Sequence, residues 1–226
     1  MHIEPGVVEG AKITLSFITA AGALGYTAKL ALSTIKHDGI APMAIRSLIA
    51  TFLVFCFFQV LPHYPVGVSE VHLILGSTLF LIFGAGPAVI GLSMGLLLQG
   101  LFFSPTDLPQ YGMNVTTLLV PLLAVDALAR RVITKKTAYK DVKYSQALAL
   151  STAYQGGVIA WVAFWAVYGQ GFGAENLSQI FSFGAAYALV IVVEPLIDLA
   201  VLATAKSLHQ LSESKVFHSR LYRPAA

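Results

Sequence analysis

The chain has 226 residues, of which 57% are hydrophobic and only 11% charged, with a mean hydropathy of +0.76. A water-exposed domain carries about 25% charged residues, so this composition excludes a soluble fold and makes lipid the main surrounding. The net charge of +3 is too small to suggest nucleic acid, and the single Cys56 excludes an internal disulfide framework.

The chain opens Met1-His2-Ile3-Glu4-Pro5-Gly6, with two acids and no Lys or Arg before Lys12. A secretory signal peptide needs a positive region ahead of its apolar stretch, so residue 1 is expected to remain the true N-terminus. Seven apolar stretches follow: 11–35, 42–61, 66–83, 87–103, 114–132, 146–168 and 181–208. Most approach the roughly 20 residues that carry a helix across a bilayer. Helices are the expected form because lipid offers backbone groups no partners. Barrel strands would alternate over about ten residues, and these runs do not.

Gly84-Ala85-Gly86-Pro87 predicts a reversal between the third and fourth stretches, since proline cannot continue helical bonding and glycine permits tight turns. Charge agrees. With seven spans and the N-terminus outside, the inner segments hold Lys36, Arg130, Arg131, Lys135, Lys136, Lys140 and Lys143, and the tail adds Lys215, Arg220 and Arg223. This is the positive-inside arrangement. The expectation is an all-α polytopic bundle, a single unit over 1–226. Residues 1–10 form a metal-binding segment folded back into the bundle 11–208, and 209–226 a cytoplasmic tail.

Charges at membrane depth are costly unless paired or hydrated. Glu194 and Asp198 sit four apart on one face of the seventh stretch. Arg46 lies in the second stretch and Asp126 in the fifth; pairing Arg46 with a carboxylate is the bland account, and a polar pathway through Glu194 and Asp198 the functional one. Gly91 and Gly95 form a small-xxx-small pair suited to close helix packing.

His37, His209 and His218 fall among charges on the inner side, whereas His2, His63 and His72 all fall on the outer side. Three histidines at one water–membrane boundary fit metal capture. A free amine followed by histidine is itself a chelator. The Met1 amine, His2 amide and His2 imidazole can close adjoining rings on one ion, and a fourth nitrogen from another histidine completes a plane that suits Ni(II) or Cu(II), or Co(II) with water added.

The hexamer Met1-His2-Ile3-Glu4-Pro5-Gly6 resembles the start of the CbiM/NikM family, the substrate-capture subunits of cobalt and nickel energy-coupling-factor transporters, with the proline–acid order reversed here. Three more stretches are similar to that family: His72 followed by Gly76-Ser77-Thr78-Leu79, Gly86-Pro87 and Gln99; Gly112-Met113-Asn114-Val115-Thr116-Thr117, with Thr117 where the family has asparagine; and Val193-Glu194-Pro195. The resemblance implies that Met1, His2 and His72 hold the metal, with His63 the alternative to His72. It makes Glu4, Asn114 and Gln99 supporting residues. It further implies a divalent cobalt or nickel substrate, a membrane scaffold subunit, two cytoplasmic ATPases and often a small accessory membrane subunit, in a bacterial cytoplasmic membrane.

The chain itself lacks a Gly-x4-Gly-Lys-Ser/Thr loop and is not expected to hydrolyse ATP. Two rivals remain: an ion- or proton-coupled permease using Glu194 and Asp198, and an intramembrane metalloenzyme. The latter lacks both His-Glu-x-x-His and Gly-x-Ser-x-Gly.

Overall fold

The computed structural model describes residues 2–134 and 137–213, with side chains described up to 207. Met1, Lys135, Lys136, the His209 side chain and the tail residues Lys215, His218, Arg220 and Arg223 therefore lie outside the described residues.

Seven helices run in chain order: α1 (Ile13–Asp38), α2 (Ile40–Gln59), α3 (Gly76–Phe83), α4 (Ala85–Phe102), α5 (Tyr111–Val132), α6 (Tyr144–Gln170) and α7 (Ala174–Glu213). Six of them are long and apolar enough to cross a membrane; α3 is not among them. A two-stranded hairpin, β1 (Tyr64–Val66) and β2 (Ser69–Val71), sits between α2 and α3.

The sequence expectation of helix throughout 66–83 fails in its first half. Residues 72–75 are extended or coiled, and Leu75 adopts φ 52°, a left-handed conformation costly for a branched side chain. Residues 72–74 at no more than about 3.3 Å each and the eight helical residues of α3 at about 1.5 Å each reach at most about 22 Å, less than the roughly 30 Å hydrocarbon core. Irregular backbone at this depth survives only where protein surrounds it. Here Ile74 is fully buried and its N–H donates to the Glu194 carboxylate.

Two one-residue hinges lie at the same end of the bundle. Gly39 (φ +91°) joins α1 to α2, and Gly84 (φ +86°) joins α3 to α4, as the Gly-Pro signal predicts. Gly84 shares a cleft with Asp126, Arg130 and Tyr139, and Lys206 donates to the Lys140 carbonyl at 2.6 Å. The described cations thus gather at this end, whereas Lys12 bonds the Gly169 carbonyl at the other.

Helix contacts follow residue size. A Cβ on Gly91 would lie 2.5 Å from the Ala50 Cβ, and one on Gly95 2.6 Å from Val54 Cγ1, so the small pair lets α4 press against α2. Two of the intramembrane charges, Arg46 and Asp126, pair locally. Arg46 bonds Asp38 at 2.6 Å beside the Gly39 hinge, and Arg130 bonds Asp126 one turn away at 2.8 Å. Arg46 therefore does not neutralise Glu194 or Asp198.

Candidate metal centre

Residues 2–4 lie alongside β2 through an isolated bridge that extends the hairpin's bonding without adding a strand. Ile3 bridges Ser69 antiparallel, the Glu4 N–H donates to the Val68 carbonyl (3.1 Å), and the Glu70 N–H donates to the His2 carbonyl (2.9 Å). The Ser69 hydroxyl adds a bond to the His2 carbonyl at 3.0 Å. On the other side, the Ile3 N–H donates to Asn114 Oδ1 from α5 at 2.8 Å. Ile3, Val7 and Val8 are buried, and each aliphatic side chain removed from water is worth about 1.5–3 kcal/mol. The N-terminal segment is thus a packed element of the bundle mouth.

This pairing places His2 against the chain leading into α3. The His2 and His72 ring centroids are 5.4 Å apart, and His63, half-buried, stacks on His72 at 4.8 Å with an interplanar angle of 13°. Phe58 closes the other side, 4.9 Å from the His72 ring. His2 and His72 are almost wholly buried. His72 Nε2 lies 2.8 Å from Glu70 Oε2, which leaves Nδ1 with no partner. His2 Nδ1 is 3.2 Å from Asp107 Oδ2 but off hydrogen-bond geometry, so both of its ring nitrogens lack a hydrogen-bond partner. Orphaned buried nitrogens demand an explanation. Ligand atoms of His2, Glu70 and His72 fall within 4.8 Å of one another, a spacing that one ion can bridge.

The electrostatics favour a cation. Burial pushes the His2 imidazole down to about 2, so this ring is neutral and offers lone pairs. Glu4 is raised by burial and by the neighbouring Glu70 and Asp107 carboxylates. Burial likewise raises Glu70. Three acids that repel one another beside a neutral imidazole form a field that a dication relieves.

Of the residues singled out from sequence, His2, His63, His72, Glu4 and Asn114 come together at one end. Gln99 lies at the edge of this group: its Nε2 donates to Ser104 Oγ at 2.9 Å, in the turn preceding Asp107. Met1 is outside the described residues. His37 is exposed at the opposite end. Glu194 and Asp198 belong to a deeper layer and are not within the histidine cluster. Sequence reasoning passed over Glu70 and Asp107. Glu70 had a usable signal, because positions i and i+2 share a face in a strand, but a helix assumed at His72 turned that spacing away.

The model of the family described as cobalt uptake substrate-specific transmembrane region matches residues 2–210. The chain belongs to this family. It is therefore a multi-pass membrane protein of transition-metal transport, as the N-terminal hexamer led one to expect. Two solved structures are similar in fold. One is a crystal structure of a transition metal transporter, 16% identical with TM-score 0.64 and both chains fully covered. The other is a truncated transition metal transporter, 14% identical with TM-score 0.63, covering 95% of this chain and 100% of that one. No curated protein matches.

Proposed function

We propose that this member of the cobalt-uptake family is the substrate-specific membrane component of an ATP-driven energy-coupling-factor importer for divalent cobalt or nickel. The ion is taken by the Met1 amine, the His2 amide and imidazole, and the His72 imidazole, a nitrogen set suited to Ni(II) and, with softer constraint, Co(II). The observation that carries this reading is the burial of His2 against His72 with free ring nitrogens. In that role Glu70 fixes the His72 tautomer from behind, as carboxylates do for metal-bound histidines. Asn114 holds the backbone of Ile3, and Glu4 and Asp107 supply negative field at the mouth. His63, stacked on His72, is the alternative fourth ligand.

With no phosphate-binding loop of its own, the chain relies on two cytoplasmic ATPases and a membrane scaffold subunit, with a small accessory membrane subunit, in a bacterial cytoplasmic membrane. The N-terminus faces outward and α7 runs to the inner side. The permease and metalloenzyme readings are disfavoured, because the Glu194 and Asp198 oxygens are already engaged by protein donors. The decisive experiment measures bound metal in purified protein with its native start, beside a version carrying one extra N-terminal residue. The extended form is expected to lose most of its metal. Equal metal content in both overturns the amine chelate.

A further inference from the structure

Below the histidines lies a layer of buried polar groups that metal capture does not use. Glu194 and Asp198, four apart on α7, are 0% and 1% exposed. Among the described residues no Lys or Arg pairs with either. Buried carboxylates without a counter-ion persist only if donors replace the lost water. The donors here come mostly from one short stretch. Ile74 N–H and Gln155 Nε2 bond Glu194, and the Ser77 and Thr78 hydroxyls bond Asp198, Ser77 at 2.5 Å. Gln155 is held in turn by the Tyr187 hydroxyl at 2.6 Å. The stretch 74–78 begins two residues after His72 and contains the left-handed Leu75. An apolar cleft of about 200 Å³ separates the His72 segment from Leu189, Val190 and Val193 of α7.

We infer that Glu194 and Asp198 are positioning residues that latch the His72-bearing segment to α7, so that displacement of α7 withdraws His72 from the metal. The inference rests on His72 being a ligand. The two carboxylates accept from the Ile74 N–H in the non-helical stretch and from the Ser77 and Thr78 hydroxyls in the first turn of α3, and thereby hold Leu75, which lies between them, in its unfavourable conformation. If α7 shifts, those donors lose their acceptors, the stretch relaxes, and the cleft beside Leu189 and Val193 gives His72 room to swing. α7 is suited to carry the signal. Its 40 residues, with Pro195 inside the helix beside Glu194, run about 60 Å along the chain, reaching from the histidine end past Tyr139 and Lys140 at the cationic end. A site that holds its ion through several nitrogens needs such a device to let it go.

The test uses the full-length protein in detergent, titrated with Ni(II) and followed by affinity and by the visible absorption band of the bound ion. Glu194→Gln keeps side-chain size but places an N–H₂ where an acceptor is required. It is expected to weaken Ni(II) by about 10-fold or more, as loss of outer-shell partners does, and to shift the band. In a His72→Ala background the same change is expected to add less than about twofold, because it acts through His72. Wild-type affinity and band in Glu194→Gln, or a full additional loss on top of His72→Ala, overturns the latch. Should Glu194→Gln fail to fold, Tyr187→Phe removes only the hydroxyl that steadies Gln155. A loss of about threefold that vanishes in the His72→Ala background supports the proposal, and an unchanged affinity overturns it. If His72→Ala itself binds like wild type, the ligand assignment has failed, and the latch with it.

Discussion

At the scale of single residues, Asn114 and His2 carry the most consequence. Asn114 Oδ1 is the acceptor for the Ile3 N–H in a dry place. Asn114→Ala strands that donor at a cost of about 1–3 kcal/mol, and we expect metal affinity to fall by about 10- to 100-fold. Isothermal titration against wild type measures it; Asn114→Asp, which keeps an acceptor, should retain most of the affinity. His2 gives the metal-free protein a pH dependence. Its folded value is depressed by burial to about 2 against 6.5 ordinarily, so below pH 6.5 the undocked segment binds a proton that the docked one refuses. The docking contribution is full above 6.5 and is lost as pH falls toward 2. Hydrogen exchange at the Ile3 and Glu70 amides should quicken as pH drops from 7 to 5, relative to the intrinsic rate. The meeting of His2, His63 and His72 was legible in the sequence, because the topology places all three at one boundary; the choice of His72 as partner came from the family resemblance. Glu70 and Asp107 were not legible, since Glu70 falls in a stretch that reads as helix until the local backbone is known to be a strand.

At the scale of elements, the informative misreading is the third stretch. Val66 to Phe83 is apolar enough for a helix, but hydropathy cannot see that Gly67 turns a hairpin at φ +62° or that Glu194, more than a hundred residues on, supplies an acceptor for an unwound backbone. The helix boundaries set by glycine, at Gly39 and Gly84, were better signalled. The docking of the N-terminal segment depends on one further close approach, at the end of α6. A Cβ on Gly169 would sit 1.8 Å from the Val7 carbonyl oxygen. Gly169→Ala should therefore pry residues 2–8 off the bundle without disturbing insertion of α6, and bound metal should fall by about tenfold or more. Gly173→Ala, which meets nothing within 4 Å, is the matched control. Equal metal content in the two variants would mean that the segment does not rest on α6.

At the scale of the whole molecule, the two ends differ in kind. One carries the histidines, Glu4, Glu70 and Asp107, with Lys12 as its basic residue bound to Gly169. The other carries Arg130, Arg131, Lys140, Lys143 and Lys206 around the Gly39 and Gly84 hinges. Such asymmetry orients a multi-pass chain during insertion, with the cationic end retained inside, and it would set the acidic mouth where external cations arrive and concentrate them there. With the stretch 66–83 counted as a crossing the number is odd, which would put residues 2–4 and the far end of α7 on opposite sides of the membrane. Cysteine accessibility tests this directly, because only Cys56 must first be replaced. In Cys56→Ser protein expressed in intact cells, Tyr64→Cys, in the exposed hairpin, should react with a membrane-impermeant maleimide. Ala138→Cys, exposed at the cationic end, should react only after the membrane is opened. The reverse pattern would invert the molecule, put the histidines on the inner side, and turn an uptake site into one that could serve only export.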